Sequence, residues 1–241
     1  GTEYDGFPVL SASAPFKSGG RGGPDYYTRI DAGPIALKNV ADLYIYPNTL
    51  RAVLVDGTQV REWLEMSAGI FNQINPDDDS EQSLISGSFA SFNFDVIDGI
   101  RYQIDVTQPP RYNASGELLN PDTHRIINMT FQGKPLEADQ AFVVATNNYR
   151  AAGGGSFPGL DGSSIIIEAP DTNRDVVGAY ILANEKIDPS ADGNWSFAPV
   201  DAEVNVTFRS SPNGTADLPD DSPIRLLRID EDGFGVYRII L

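Results

Sequence analysis

The segment AFVVATNNYRAAGGGSF, residues 141–157, decides how the chain is organised. Its first five residues are apolar and rich in Val and Ala, which predicts a buried strand over 141–146. The strand ends abruptly in two amides, an aromatic, an arginine and three glycines. A Gly-rich loop directly after a strand is a place where a ligand approaches the backbone closely. The segment therefore predicts a central strand with a ligand site at its end, the alternative being a tight turn.

Three side chains of this segment are candidates for contact with a substrate. Tyr149 offers a flat π-face with a polar tip, and Arg150 offers a planar fork for phosphate or hydroxyl groups. Asn148 adds a side-chain amide beside them. In the alternative, Tyr149 is only a partly exposed turn residue.

On both sides of this segment, hydrophobic periodicity predicts an irregular succession of strands and helices. Strands are predicted at 8–14, 49–55, 101–106, 125–131, 164–168, 204–209 and within 224–241. Helices are predicted at 35–44, from a Thr58 cap to Phe71, and from 171–175 onward. The first of the two longer helices has an apolar stripe made of Val60, Trp63, Leu64, Ala68 and Phe71, and the second is expected to bury Val176, Val177, Tyr180 and Ile181.

This irregular alternation favours an α+β fold, with a mixed β-sheet flanked by helices, over a doubly wound α/β fold. The composition changes near residue 200, where a Pro-, Gly- and Asp-rich stretch with alternating strands begins. We therefore expect a main domain over 1–200 and a β-rich C-terminal extension over 201–241 that packs on it.

Charge and composition exclude several function classes. The 241 residues contain 17 Lys and Arg against 34 Asp and Glu, a formal net charge of -17, which repels polymeric nucleic acid. No Cys is present, which excludes disulfides, zinc–thiolate sites, iron–sulfur clusters and thiol nucleophiles. His124 is the single histidine, no run of residues is long and apolar enough to span a membrane, and the start of the chain does not resemble a signal peptide. We expect no catalytic residue, metal site or cofactor within these residues.

Two other segments are candidate binding elements. In LYIYPN, residues 43–48, Pro47 restricts the backbone of Tyr46 to extended geometry, so that Tyr46 is held rather than mobile. If Tyr46 stacks on a planar group such as a nucleobase, Asn48 would contact the edge of that group. In the alternative, Tyr44 and Tyr46 are alternate faces of one amphipathic segment. In SGGRGG, residues 18–23, a Gly-rich loop after a strand presents Arg21 to an anion, or is a flexible surface loop.

Taken together, five motifs resemble the C-terminal domain of bacterial 2',3'-cyclic-nucleotide 2'-phosphodiesterase/3'-nucleotidases, which are members of the 5'-nucleotidase superfamily. The motifs are APFKSGGR (14–21), NVADLYIYPNT (39–49), FDVIDG (94–99), YQIDVTQ (102–108) and ATNNYR (145–150). The resemblance covers nearly the whole chain, including NWSFAP at 194–199 and the tail.

The resemblance implies that hydrolysis takes place on an N-terminal metallophosphatase domain, with two divalent metal ions, that precedes this part of the protein. This domain would then bind nucleosides, 3'-nucleotides and 2',3'-cyclic nucleotides in a periplasmic or otherwise extracytoplasmic protein, and would be inactive alone. It further implies that Tyr46 and Tyr149 stack on the nucleobase, that Asn48 reads the base, and that Arg21, Asn148 and Arg150 bind substrate.

One departure from the family pattern separates two branches of the superfamily. The 5'-nucleotidase branch has an Asp six residues after the second aromatic, where this sequence has Gly155. That Asp holds ribose hydroxyls. A ribose that carries phosphate at its 2' or 3' oxygen would not offer the same free hydroxyls, so the Gly fits 3'-nucleotide or cyclic-nucleotide substrates. The alternatives are a 5'-nucleotidase or UDP-sugar hydrolase domain and a non-enzymatic sugar-binding module.

Overall fold

The computed structural model describes residues 3–201 and 203–241, apart from the side chains of Arg21, Ala216 and Asp217. The predicted α+β class is confirmed, and the strands are divided among three sheets. In chain order the elements are β1 (Val9–Ser13), α1 (Leu37–Leu43), β2 (Thr49–Asp56), α2 (Gly57–Ser67), β3 (Glu81–Ser83), β4 (Val96–Asp98), β5 (Ile100–Ile104), β6 (Ile126–Phe131), β7 (Lys134–Pro135), β8 (Ala141–Asn147), α3 (Asn148–Ala151), β9 (Ile165–Thr172), α4 (Asn173–Ala183), β10 (Trp195–Phe197), β11 (Asn205–Ser210), β12 (Ile224–Ile229) and β13 (Gly235–Ile239).

The first sheet has five strands in the order β4-β1-β8-β2-β9, with the predicted strand β8 at its centre. β1 runs parallel to β8, whereas β4 is antiparallel to β1 and β2 is antiparallel to β8. The ends of β1 and β8 therefore lie at the same edge as the starts of β2 and β4. The register confirms this, because Leu50 pairs with Asn147 and Ser13 pairs with Val96.

Helix α2 follows β2 without a connecting loop and buries its apolar stripe. Trp63 and Val60 are fully buried, in a core cluster shared with the sheet. The predicted cap Thr58 is wrong by two residues: Asp56 is the N-cap, and its carboxylate accepts a hydrogen bond from the Gln59 backbone N–H at 2.7 Å. Asp56 takes this position because β2 continues directly to it, and a carboxylate satisfies a free N–H in the first helical turn.

The prediction of a buried face on α4 is wrong. No residue of α4 is buried, and Tyr180 is 63% exposed. The helix lies against the small helix α1, where Gly178 approaches Val40, instead of against the core. Within the described ranges 3–201 and 203–241, no helix is long and apolar enough to cross a membrane.

Two buried charged residues, Glu65 and Arg125, connect α2 to the second sheet, β10-β5-β6-β7, through hydrogen bonds to the backbone. The Glu65 carboxylate accepts hydrogen bonds from the backbone N–H groups of Arg125 at 3.0 Å and Ile126 at 3.1 Å. The Arg125 guanidinium donates to the carbonyl oxygens of Ala68 and Phe71. These hydrogen bonds offset the cost of burying the two charges. Within the described part of the chain, the Arg125 Nη2 group is buried without a hydrogen-bond partner.

The third sheet, β12-β13-β11-β3, joins the C-terminal extension to the rest of the chain. β11 pairs in parallel with the short strand β3, and Val204 and Val206 belong to the common core. The sequence pattern did not reveal β3, β4 or β10, each three residues long, because so few residues show no clear period. The division at residue 200 stays a prediction.

Candidate functional site

A cleft of about 190 Å³ opens at the sheet edge where β1 and β8 end and β2 and β4 begin. Each of these strand ends contributes side chains to it. Its lining consists of Ala14, Phe16, Tyr46, Asn48, Phe92, Asp95, Asn147, Tyr149 and Arg150. Residues far apart in the chain meet here because mixed pairing brings two strand ends and two strand starts to one edge.

Two half-exposed phenol rings line this cleft from opposite parts of the chain. Tyr46 is 42% exposed and Tyr149 is 46% exposed. Each packs edge-on against a phenylalanine: Tyr46 against Phe16 with ring centroids 5.3 Å apart, and Tyr149 against Phe92 at 6.5 Å. Each tyrosine is thus supported by a second aromatic ring while part of its surface stays open.

A buried ion pair forms the floor of the cleft. The Arg150 Nε donates to Asp95 Oδ2 at 2.7 Å, and its Nη2 donates to Asp95 Oδ1 at 3.1 Å. The indole Nε1 of Trp63 donates to the same Asp95 Oδ2 at 2.7 Å. The planar guanidinium also lies 3.7 Å from the ring centroid of Phe157. This bidentate pair fixes the start of β4 to the end of β8 and to helix α2.

The remaining donors of Arg150 bind protein oxygens. Nη2 donates to the Phe92 carbonyl at 3.0 Å and to Asn93 Oδ1 at 3.2 Å, and Nη1 donates to the Gly154 carbonyl. Arg150 therefore lines the cleft, as the sequence predicts, with nearly all its donors engaged. Its contact with substrate stays a prediction, while its structural role in holding Phe92 behind Tyr149 is visible.

Three asparagines at this edge have different surroundings. The Asn48 Nδ2 lies 3.3 Å from the hydroxyl of Tyr44, to which it donates, and Asn48 lines the cleft. Asn147 also lines it, and accepts a hydrogen bond from the Arg150 backbone N–H as the cap of α3. Asn148 is not part of the lining; its Oδ1 accepts from the Thr49 backbone N–H at 3.0 Å. The substrate-binding role expected for Asn148 stays a prediction, which this geometry does not favour.

The hydroxyl of Tyr44 lies in a half-buried position beside the cleft. Burial raises the pKa of this phenol above its ordinary value, so the hydroxyl is protonated at neutral pH. Its ring packs edge-on against Phe16 with centroids 4.7 Å apart. Tyr44 and Tyr46 therefore contact the same phenylalanine. In an amphipathic segment their side chains would instead lie on opposite faces.

The position of Arg21 is only partly described. Its backbone lies in one turn of 3₁₀-helix, Gly20–Gly22, and its side chain lies outside the described part of the structure. The loop is closed by a hydrogen bond from the Gly19 N–H to the Tyr26 carbonyl at 2.7 Å. The predicted contact between Arg21 and substrate therefore stays a prediction.

Gly155 cannot be replaced by a larger residue without disturbing the floor of the cleft. Its φ is +78°, in the left-handed region. A Cβ added there would overlap Arg150 Nη1 and Asn93 Oδ1. The family departure at this position is thus coupled to the Arg150 ion pair: an Asp fits only if the guanidinium moves.

Sequence reasoning missed Phe16, Phe92, Asp95 and Asn147 as members of the cleft. Phe16, Asp95 and Asn147 lie inside the motifs that carry the family resemblance, and that location could have drawn attention to them. Phe92 lies in a segment with no recognisable pattern. Among residues 3–201 and 203–241, no group of three or more His, Asp or Glu side chains is arranged to hold a metal ion.

Comparison with known proteins adds an independent finding. Residues 18–162 match the family described as 5'-nucleotidase, C-terminal domain. The chain is 49% identical over 240 residues to the trifunctional nucleotide phosphoesterase protein YfkN of Bacillus subtilis, covering 99% of this chain and 16% of that protein. It is 44% identical over 248 residues to the 2',3'-cyclic-nucleotide 2'-phosphodiesterase/3'-nucleotidase of Haemophilus influenzae, covering 98% of this chain and 38% of that protein. The chain thus spans well under half the length of these relatives.

Two solved structures share the fold. A putative 5'-nucleotidase from Staphylococcus aureus superposes with a TM-score of 0.59 at 21% identity, covering 78% of this chain and 33% of that one. A 5'-nucleotidase precursor from Thermus thermophilus gives 0.55 at 16% identity, covering 79% and 31%. At these identities the likeness supports the α+β architecture alone.

Substituting Gly155 tests the coupling between this glycine and the ion pair. We expect Gly155→Ala to lower the free energy of unfolding by more than Gly133→Ala, measured by denaturant titration. Gly133 is the matched control, because its φ is +76° but an added Cβ meets nothing within 4 Å. Both variants incur backbone strain of about 1 kcal/mol or more, and only Gly155→Ala adds the overlap with Arg150. Equal losses would show that the overlap has no effect.

Proposed function

The chain belongs to the 5'-nucleotidase C-terminal domain family, and we propose that it is the nucleoside-binding domain of a 2',3'-cyclic-nucleotide 2'-phosphodiesterase/3'-nucleotidase. The names of the relatives at 44% and 46% identity from Haemophilus influenzae and Salmonella typhimurium support this branch of the superfamily. The resemblance read from the five motifs agrees with the matched family.

The observation that carries the proposal is the open aromatic cleft between Tyr46 and Tyr149. Two half-exposed rings that line one cleft offer π-faces to a planar heterocycle. Stacking of a base on an aromatic side chain contributes roughly 1–3 kcal/mol. Asn48 and Asn147 add amide donors and acceptors for the edge of the base.

The charge distribution in the cleft favours a base over a phosphate. Among the side chains that the structure describes, Arg150 is the one cation of the lining, and its charge is balanced by Asp95 at 2.7 Å. The nucleobase therefore enters the cleft, while the phosphate projects away from it. This arrangement suits a domain that orients a substrate for chemistry performed elsewhere, because orientation of a reacting group lowers the barrier by several kcal/mol.

Chemistry on the phosphate is assigned to another domain of the same protein. The relatives are much longer than this chain, which leaves room for an N-terminal metallophosphatase domain. Two divalent metal ions bound there would supply Lewis-acid catalysis and activate water for opening the cyclic phosphate and releasing the 3'-phosphate. The residues of this chain bind and orient the nucleoside. We place the parent protein in the periplasm or otherwise outside the cytoplasm.

Gly155 favours 2',3'-cyclic and 3'-nucleotides over 5'-nucleotides. An Asp that holds free ribose hydroxyls is absent at this position, and an added Cβ would overlap the Arg150 guanidinium. Position 155 therefore presents no carboxylate to a 2'- or 3'-phosphorylated ribose, whose phosphate a carboxylate would repel.

Removal of either aromatic ring tests the binding mode. We expect Tyr46→Ala and Tyr149→Ala each to weaken binding of adenosine 3'-phosphate about tenfold in calorimetry, since each deletes a stacking surface. Tyr180→Ala is the matched control, because Tyr180 is 63% exposed and lies on α4 outside the cleft. Tyr46→Phe and Tyr149→Phe should retain most of the affinity.

A panel of oligosaccharides measured with the same protein separates the nucleoside site from a sugar-binding module. Tighter binding of sugars than of adenosine or its 3'-phosphate would overturn the proposal, and so would an equal loss of affinity in the Tyr180→Ala control.

The division of labour is tested by activity. We expect the 241-residue chain with added divalent metal to leave 2',3'-cyclic AMP intact, whereas the full-length parent protein hydrolyses it to adenosine. Product analysis by chromatography, with 5'-AMP as a parallel substrate, measures both reactions. Metal-dependent hydrolysis by the isolated chain would contradict the proposal, and a parent protein that prefers 5'-AMP would assign it to the 5'-nucleotidase branch.

A further inference from the structure

The segment that carries Tyr46 and Asn48, residues 44–48, is held mainly by helix α4. The Arg174 Nε donates to the Tyr44 carbonyl at 2.8 Å, and its Nη2 donates to the Ile45 carbonyl at 2.9 Å. The Asn173 backbone N–H donates to the Asn48 carbonyl at 2.9 Å. Three of the five carbonyls of this segment thus bind the first two residues of α4.

The position of Arg174 in α4 is not explained by the stability of the helix itself. It is the second residue of the helix, where the positive end of the helix dipole disfavours a cation. It reaches instead across to the carbonyl groups of Tyr44 and Ile45, which follow the end of α1. A guanidinium donates to two neighbouring carbonyls at once in a fixed geometry, which a lysine does not do.

Helix α4 is held in place at its N-terminal end. Thr172 accepts a hydrogen bond from the Asp175 N–H at 3.1 Å, and Thr172 pairs with Thr49 where β9 meets β2. No residue of α4 is buried, and besides its contact with α1 near Val40 the helix is held by these polar contacts. The start of α4 thus continues from the edge strand β9 and reaches the segment at 44–48.

The segment needs such an anchor because it has little burial of its own. Tyr46 is 42% exposed, and its ring contacts Phe16 edge-on. Tyr44, whose carbonyl Arg174 binds, accepts a hydrogen bond from Asn48 Nδ2 at 3.3 Å. Fixing the backbone at Tyr44 and Ile45 thus fixes both the stacking ring and the amide that faces the cleft.

We propose that Arg174 is a positioning residue, which holds the segment at 44–48 against the sheet edge and thereby sets the affinity of the cleft for a nucleobase. Arg174 is outside the lining of the cleft and acts through Tyr46. The effect on affinity rests on the proposed function, whereas the anchoring of the segment does not.

Calorimetry of the 241-residue chain with adenosine 3'-phosphate tests the effect on affinity. We expect Arg174→Gln to weaken binding about tenfold, as loss of hydrogen bonds from a charged donor implies. Arg101→Gln is the control, with the same change of charge at an exposed position of β5. In the Tyr46→Ala background Arg174→Gln should weaken binding by only about twofold to threefold, because the stacking ring is gone and only Asn48 is left to be positioned. In the Tyr149→Ala background the tenfold loss should persist.

A ligand-free measurement tests the anchoring itself. Chymotrypsin cleaves after Tyr44, at the carbonyl that Arg174 binds, and cleavage requires this segment to leave the sheet edge. We expect cleavage at 44–45, followed by mass spectrometry, to be about tenfold faster in Arg174→Gln than in the native chain or Arg101→Gln. Arg174→Lys keeps the charge without the planar fork, so its cleavage rate should lie between those of the native chain and Arg174→Gln. If Arg174→Gln does not fold, Arg174→Lys takes its place.

The outcomes separate the two proposals. Unchanged cleavage in both Arg174 variants would overturn the anchoring, and unchanged affinity beside normal binding by the native chain would overturn the positioning role. Equal losses of affinity in the native and Tyr46→Ala backgrounds would also overturn it, since a general loss of structure would act in both. Absence of binding by the native chain would overturn the proposed nucleoside function, while accelerated cleavage would leave the anchor standing.

Discussion

The buried pair of Asp95 and Arg150 is the interaction on which the site depends. It joins the start of β4 to the end of β8 and accepts the indole N–H of Trp63 from α2. Removing one partner of a buried ion pair costs about 3–5 kcal/mol, because the other charge is left unpaired. The same guanidinium binds the Phe92 carbonyl and leaves no room for a Cβ at Gly155. The Asp95–Arg150 ion pair in the floor of the cleft thus determines both the shape of the cleft and which residue is tolerated at position 155.

The two aromatic walls are held in different ways. Tyr149 follows a central strand directly and is backed by Phe92, which the buried pair holds. Tyr46 lies on a connection between α1 and β2 and is anchored by Arg174 at the surface. One wall is therefore part of the rigid sheet edge, whereas the other depends on a few polar contacts.

Much of this arrangement could be predicted from the sequence, and the rest depends on pairing between distant segments. The apolar run that forms β8 and the stripe of α2 predict their own burial, whereas only the family resemblance implies that Tyr46 and Tyr149 belong to one site. The helix pattern at 173–183 predicts a buried face that α4 does not have, because amphipathic spacing does not say which neighbour will cover it. Arg150 looks like a ligand-binding fork in the sequence, and only the tertiary structure brings Asp95 against it.

A crystal structure of the chain with bound adenosine 3'-phosphate would show directly where the nucleobase binds. We expect the adenine ring between the side chains of Tyr46 and Tyr149, with the phosphate directed out of the cleft and the Asp95–Arg150 pair intact. An adenine bound at another surface, or a phosphate seated on Arg150 in place of Asp95, would contradict it.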